Sequence, residues 1–433
     1  MRLVAIRTQR LAPWAVFTCV LSMDASFRIA LGASRGLLRP SRRVALAVML
    51  LTTGIVRAEN AEQPRDALAK AVAYLWSQQA EDGGWHSPQY GVLKSGQAIT
   101  PFVLHALLQA EDSMSGDEPG RFHRAAQFIL RGRDFHGVLG RSDPELPEYP
   151  VYSTAYSALS FTRFQGFHEH LGPSGHAAIK QMRSYLALAQ FDEAEGFSPA
   201  DPCYGGWGFQ EALRPGRSGH MDLSHTRCAL QALRETHWEE PAPKAVSEKA
   251  AVFLRLVQKQ PESAFRQPGA DGGVTAVATL PFDGGFYFSP VVLDANKGRL
   301  EQTPTPHWRS YATATCDGIL ALLAASVPAD DDRVTAAVAW LKRHTDVDYP
   351  QGVPSDYPEP WGEAIRFYHY SVRAEVYRQL DFPAADRAAL AAAVVKQQRE
   401  DGSFVNTASP LMKEDDPVLC TALAVVALTN CLP

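Results

Sequence analysis

From about residue 60 to the C-terminus the chain alternates two kinds of apolar stretch. One carries charge on a single face, as in Arg333–Arg343, the mark of a helix with one side in water. The other is built of small and apolar residues nearly all round, as in Ala312-Thr313-Ala314-Thr315 and Ala422–Leu428, which suits a helix buried on every side. The buried kind is expected over Gln97–Gln109, Tyr152–Phe164, Leu223–Glu235, Tyr311–Ser326, Phe367–Leu380 and Pro417–Asn430. No strand-type alternation of useful length is present. Two connections are long. Pro261 to Arg309 holds Asp271-Gly272-Gly273 and Asp283-Gly284-Gly285, and Tyr349 to Trp361 holds four prolines. Long loops in a repeat protein tend to be functional.

The alternation is a repeat. Gln78-Gln79-Ala80-Glu81-Asp82-Gly83-Gly84-Trp85 aligns with Gln397-Gln398-Arg399-Glu400-Asp401-Gly402-Ser403-Phe404, 319 residues later. The unit is a bulky-plus-aliphatic pair, three residues, a Gln, then Gly and an aromatic. Tyr74-Leu75, Tyr185-Leu186 and Phe253-Leu254 lead to Gln79, Gln190 and Gln258. Phe128-Ile129 and Trp340-Leu341 keep the pair but carry Arg133 and Thr345 at the Gln position, and Ala393-Val394 keeps the spacing to Gln398. That makes six units, each followed by one of the six buried helices. An open solenoid needs polar caps at its ends. Here the terminal units hold the best-kept motifs, so six exposed and six buried helices are expected to close into an all-α, two-layer ring of six hairpins.

Charge divides the chain. The first 58 residues hold nine Arg and one acid, Asp24, whereas from Glu59 onward 33 basic residues face 46 acidic ones, a balance of −13. An acidic body argues against nucleic acid as a partner. Arg42-Arg43, the 13 uncharged residues Val44–Val56 and the small residues Val56 and Ala58 around a cut after Ala58 read as an export signal. Thirteen residues are short of the roughly 20 that span a bilayer. The expected organisation is an N-terminal extension with export signal over 1–58 and one domain over 59–433, secreted or periplasmic, without a transmembrane span in the mature chain. Its five cysteines are an odd number, so at least one stays a thiol. Cys420 and Cys431 lie on one helical face but about 16 Å apart, too far to bridge.

The string Lys70-Ala71-x-x-Tyr74-Leu75-x-x-x-Gln79-x-x-x-Gly83-x-Trp85 resembles the repeat of squalene cyclases and protein prenyltransferase β-subunits. The resemblance covers Ala61 to Pro433. It implies an (α/α)₆ toroid in which Gln79, Trp85, Gln398 and Phe404 are structural ties, and a central cavity near the N-terminal ends of the inner helices. The cyclases' Asp-x-Asp-Asp string is absent. Glu414-Asp415-Asp416 stands at the start of the last inner helix without the first Asp. The prenyltransferase zinc motif is absent too: Cys316-Asp317 is adjacent and in the reverse order.

Several residues carry candidate chemistry. Asp416-Pro417 is a well-formed helix start, an N-cap followed by Pro at the first position. The functional alternative is that Asp415 and Asp416 share a raised pKa and act as an acid. Asp222 repeats the pattern, with His225 one turn into its helix. Tyr152, Trp207, Tyr311, Tyr368, His369 and Tyr370 are candidate ligand contacts, since aromatics in a toroid stabilise a cation or stack on a ligand. Cys316, Asp317 and His369, with His225, lie on neighbouring inner helices and are a metal-competent set, Cys316, Asp317 and His369 being the metal candidates. No cofactor is expected. The function expected from the resemblance is binding of an apolar, isoprenoid-like small molecule or lipid, with any turnover of the cyclase or isomerase type. A non-catalytic scaffold for a protein partner and a polysaccharide hydrolase or lyase on the same kind of ring stay open.

Overall fold

The computed structural model describes residues 63–432, apart from 111–117, 164–171, 213–214, 216–219, 237–243, 259–265, 269–273, 277–282 and 302–306. The export signal expected before residue 59 lies outside the described residues. Twelve helices form six hairpins. The outer ones are α1 (63–77), α3 (Glu118–Gly132), α5 (Gly172–Leu188), α7 (Lys244–Val257), α9 (Asp332–Arg343) and α11 (Ala384–Val395). The inner ones are α2 (Ile99–Gln109), α4 (Pro150–Arg163), α6 (Leu223–Glu235), α8 (Ala312–Ala324), α10 (Arg366–Gln379) and α12 (Pro417–Cys431). Each inner helix packs against the next, and α12 packs back against α2, so the ring closes. This is the (α/α)₆ toroid expected from the repeat, with every inner helix within two residues of its expected bounds. All thirteen residues of α8 are buried, as the small residues around it require.

The Gln ties are visible as hydrogen bonds. In four hairpins the Gln amide leaves the end of one outer helix and donates twice. One bond goes to its own Gly turn and one to the first turn of the next outer helix. Gln79 reaches Gly83 O and Arg121 O, both at 3.0 Å. Gln190 reaches Gly205 O at 2.9 Å and Val246 O at 3.0 Å. Gln258 reaches Gly284 O and Arg333 O at 3.2 and 2.7 Å. Gln398 reaches Gly402 O at 3.0 Å and Ala67 O at 2.8 Å, and so joins the last outer helix to the first. Each amide thus bridges a turn carbonyl and a carbonyl in the first turn of the next outer helix, fixing one hairpin against its neighbour. In the fifth hairpin, where the sequence has Thr345, Arg373 of α10 instead ties the end of α9 to the inner layer, donating to His344 O and Asp346 O at 2.7 and 3.0 Å.

A second tie pins five of the six turns to the inner helix that follows. The amides of Trp85, Leu139, Trp207, Phe286 and Phe404 donate to the hydroxyls of Thr100, Thr154, Thr226, Thr315 and Thr421. Two of these residues also donate an indole N–H to the preceding outer helix, Trp85 to Leu75 O at 2.7 Å and Trp207 to Leu186 O at 2.6 Å. The glycines are required by geometry. Gly205 has φ +83° and Gly402 φ +88°, and a Cβ on Gly205 would lie 1.9 Å from Lys249 O. Three two-stranded ribbons of two or three residues sit in the loops: β1 (Trp207–Gly208) with β2 (Met221–Asp222), β3 (Arg266–Pro268) with β4 (Val274–Ala276), and β5 (Leu300–Glu301) with β6 (His307–Trp308). Strands this short show no period-2 pattern in sequence. Among the described residues no helix is long and apolar enough to cross a membrane. Cys203, Cys228, Cys316, Cys420 and Cys431 are all free and buried.

Candidate functional site

The inner helices leave a cavity of about 220 Å³ at the centre of the ring. One water needs roughly 10–15 Å³ measured the same way, so this is a chamber and not a packing defect. Its rim comes from the N-terminal ends of all six inner helices: Ile99, Tyr152, Ser224, Thr313, Tyr368 and Leu419 each lie within the first turn. Deeper in, Phe102, Leu423 and Val426 form an apolar wall, and Tyr156 stacks on Tyr152 with ring centroids 6.1 Å apart. Two residues at the rim, Tyr149 (φ 47°) and Lys413 (φ 61°), hold left-handed backbone that side chains of their size rarely adopt. Both precede an inner helix. Strain of this kind concentrates at functional sites.

One side of the chamber is polar. Arg227 is 2% exposed, and its Nε lies 2.9 Å from Asp317 Oδ1. Its Nη1 donates to Gln231 at 2.8 Å and sits 3.6 Å from Glu375 Oε2. The Tyr368 hydroxyl donates to both Asp317 oxygens, at 2.9 and 3.1 Å. Burial pushes the Asp317 carboxyl up to about 7, although Arg227 and Tyr368 pull the other way. Burial likewise drives the Tyr152, Tyr156, Tyr311 and Tyr368 phenols well above their usual range, so they stay neutral donors. Glu414 also lines the chamber. It accepts the amides of Phe367 and Tyr368 at 2.9 and 2.8 Å and the Asn406 side chain at 2.8 Å, and so caps α10 from the loop before α12. Burial raises Glu414 to about 7 despite these three donors.

The sequence candidates fall into three groups. Tyr152, Tyr311 and Tyr368 line the chamber. Asp222 and His225 stand just behind the rim as a pair. His225 Nδ1 is 2.8 Å from Asp222 Oδ2, and its Nε2 is buried without a partner. Burial favours a raised Asp222 pKa, but the charges and hydrogen bonds of His225 and His220 outweigh it and hold the carboxyl well below its usual range. Asp222 also caps α6 through the His225 amide at 2.9 Å. The remaining candidates serve the frame. Asp416 caps α12 by accepting Val418 N and Leu419 N, both at 3.0 Å, and takes the Ser87 hydroxyl at 2.5 Å. Asp415 accepts the Tyr90 hydroxyl. Trp207 is the indole tie described above. Tyr370 donates to Asp348 at 2.9 Å, and His369 Nδ1 lies 3.3 Å from the Thr313 hydroxyl.

Cys316, Asp317 and His369 do not assemble a metal site: among the described residues no three His, Cys, Asp or Glu side chains are grouped to hold one. Asp317 faces Arg227, and burial lowers His369 and raises Cys316 toward their neutral forms. The charged members that pattern reading did not single out are Arg227, Lys297, Glu375, Lys413 and Glu414. For Arg227 a signal exists, since it is a charge inside a helix otherwise fit for complete burial.

No protein-family model and no curated protein sequence matches the chain. Solved structures similar to it include a variant of the type II terpene cyclase MstE from Scytonema in complex with geranylgeranyl dihydroxybenzoate, at 14% identity and a TM-score of 0.49, covering 87% of this chain and 99% of that one. A protein from Actinoplanes is similar at 16% identity and a TM-score of 0.49, covering 86% of this chain and 100% of that one. A glycosidase variant is similar at 14% identity and a TM-score of 0.44, covering 87% of this chain and 99% of that one. Likenesses at this level transfer no ligand and no residue role.

Proposed function

We propose that the ring is a receptor for an apolar, isoprenoid-like ligand held in the central chamber. The observation that carries this reading is the chamber itself, walled by Ile99, Phe102, Leu419, Leu423 and Val426 and faced by neutral phenols. A scaffold that worked only through its outer faces has no use for an open centre, and side chains would be expected to fill it. A polysaccharide site calls for a polar, wettable cleft, whereas this wall is largely aliphatic and aromatic. The Arg227–Asp317–Tyr368 cluster then marks the pole that orients the ligand. Any chemistry on it belongs to the same pole, where Tyr368 presents a hydroxyl backed by a carboxyl. Export belongs to the same proposal, with cleavage after Ala58 releasing a chain that begins at Glu59.

Native mass spectrometry of the purified full chain, with lipid extraction of the same sample, tests the reading. A stoichiometric apolar adduct that Leu423→Trp displaces supports it. A protein that carries no adduct and takes up neither farnesol nor any other isoprenoid alcohol overturns it.

A further inference from the structure

The long loop before α8 places an ammonium in the chamber that an apolar ligand alone does not explain. Lys297 lines the cavity and is 8% exposed. Its Nζ donates to Ala295 O at 3.0 Å and lies 5.1 and 4.9 Å from the Phe288 and Trp361 ring centroids. An ammonium has three donors, so two have no protein acceptor among the described residues. The nearby acids are already engaged. Asp222 is taken by His220 and His225, Asp317 by Arg227 and Tyr368, and Glu414 by its three donors. Glu375 lies beside Arg227.

The loop holds Lys297 there by construction. The Asn296 side chain on one side makes four hydrogen bonds, accepting Phe288 N and Ser289 N and donating to Ser289 O and Leu293 O. On the other side, a Cβ on Gly298 would lie 2.1 Å from Arg309 O, so the backbone is clamped. The Ser289 hydroxyl donates to Met221 O at 2.6 Å, tying the loop to the start of α6. A buried, under-coordinated ammonium is costly to fold around and is retained where it has a partner. The six inner-helix N-termini that meet at the rim add positive potential of the same sign.

We infer that the ligand of this chamber carries one carboxylate on its apolar tail, seated against the Lys297 ammonium. The inference rests on the proposed apolar binding and adds the head group to it. A monoanion fits better than a diphosphate. Arg227 is already paired, Lys413 stands at the rim over the Tyr90 and Tyr149 rings, Lys297 is the one buried ammonium lining the chamber among the described residues, and the ionised Asp222 opposes further negative charge.

The test is titration of the full chain at pH 7 with farnesoic acid, farnesol and farnesyl diphosphate, followed by calorimetry, for the wild type and Lys297→Met. The acid should bind at least tenfold more tightly than the alcohol, the scale of one charge-assisted hydrogen bond. Lys297→Met should erase that preference, keep farnesol affinity within about twofold, and show an unchanged or higher thermal midpoint, since it removes an uncompensated charge. Equal affinity for acid and alcohol in the wild type overturns the carboxylate and leaves the apolar chamber standing. Tighter binding of the diphosphate than of the acid also overturns it. Failure of all three to bind removes the apolar reading itself, and the head group with it.

Discussion

If the ring is closed by side-chain ties, the seam between the last and first hairpins should matter as much as any seam inside the chain. Gln398→Ala tests this. The substitution deletes two hydrogen bonds, to Ala67 O at 2.8 Å and Gly402 O at 3.0 Å, and leaves both carbonyls to find water. A typical intramolecular hydrogen bond contributes about 0.5–1.5 kcal/mol net. Two such bonds at a half-buried site give a loss of about 1–2 kcal/mol. Gln190→Ala makes the same deletion at an interior seam where the side chain is 1% exposed, so water cannot replace the amide and the cost rises to about 1–3 kcal/mol. Gln397, adjacent to Gln398 and without a tie to another helix, is the control, expected within about 0.5 kcal/mol of wild type when changed to Ala. Urea unfolding followed by circular dichroism reads the midpoints of all three. If Gln398→Ala behaves like Gln397→Ala while Gln190→Ala is clearly destabilised, the terminal seam holds nothing and the closure argument fails.

Other consequences are simpler to check. Asp416→Ala should cost about 1–2 kcal/mol in urea unfolding, the loss of an N-cap, while leaving farnesol affinity unchanged; a large loss of binding would place Asp416 in the site after all. Asp317 and Glu414 should each contribute stability that is lost as pH rises from about 4 to about 7, because they bind their protons more tightly folded (about 7) than unfolded, while the buried His105 and His369 act in the opposite sense. That contribution is complete below the unfolded carboxyl range and gone above pH 7, and Glu414→Gln should flatten the slope of urea midpoint against pH; an unaltered slope refutes its share. Burial lowers Lys297 to about 8, so its cost to the fold is full below pH 8 and is relieved as pH climbs toward 10.5. Lys297→Met should therefore exceed wild type in midpoint at pH 7, with the gap closing by pH 10, and a constant gap would show that the ammonium is not what burial penalises. Trp207→Phe keeps the ring but loses the bond to Leu186 O, and a fall of about 1 kcal/mol with intact ligand affinity is the outcome for a structural tie.

The frame was far more legible in the sequence than the chamber. Helix α6 begins and ends where the small-residue pattern places it, because burial on all sides dictates composition along every position. The Gln and aromatic ties were legible because each repeats. A third repeated device escaped notice. Asp82, Asp134, Asp192, Asp283, Asp346 and Asp401 each accept the amide two residues on, giving at least one such turn in every hairpin. Its distance from the Gln position varies from one residue to 25, so no fixed spacing reveals it. The chamber residues do not repeat at all. Lys297 enters from a loop with no helical period, and Glu414 reaches inward where its neighbours Asp415 and Asp416 turn to the frame. Arg227 and Asp317 meet across two neighbouring inner helices. Their pairing depends on rotation of one helix against the next, which a one-dimensional pattern does not encode.

The separation between ties and chamber bears on how such a protein diverges. The ties lie between outer helices and at the turns that follow them, and the Gln and Trp ties use main-chain carbonyls as acceptors, so they tolerate change in the side chains around them. Many of the groups that line the chamber sit on the loops entering the inner helices: Tyr149, Lys297, Lys413 and Glu414. One set of residues can therefore be exchanged while the other is kept, and a lineage built on this ring can reshape its chamber by rewriting four or five loop positions without having to solve the folding problem again.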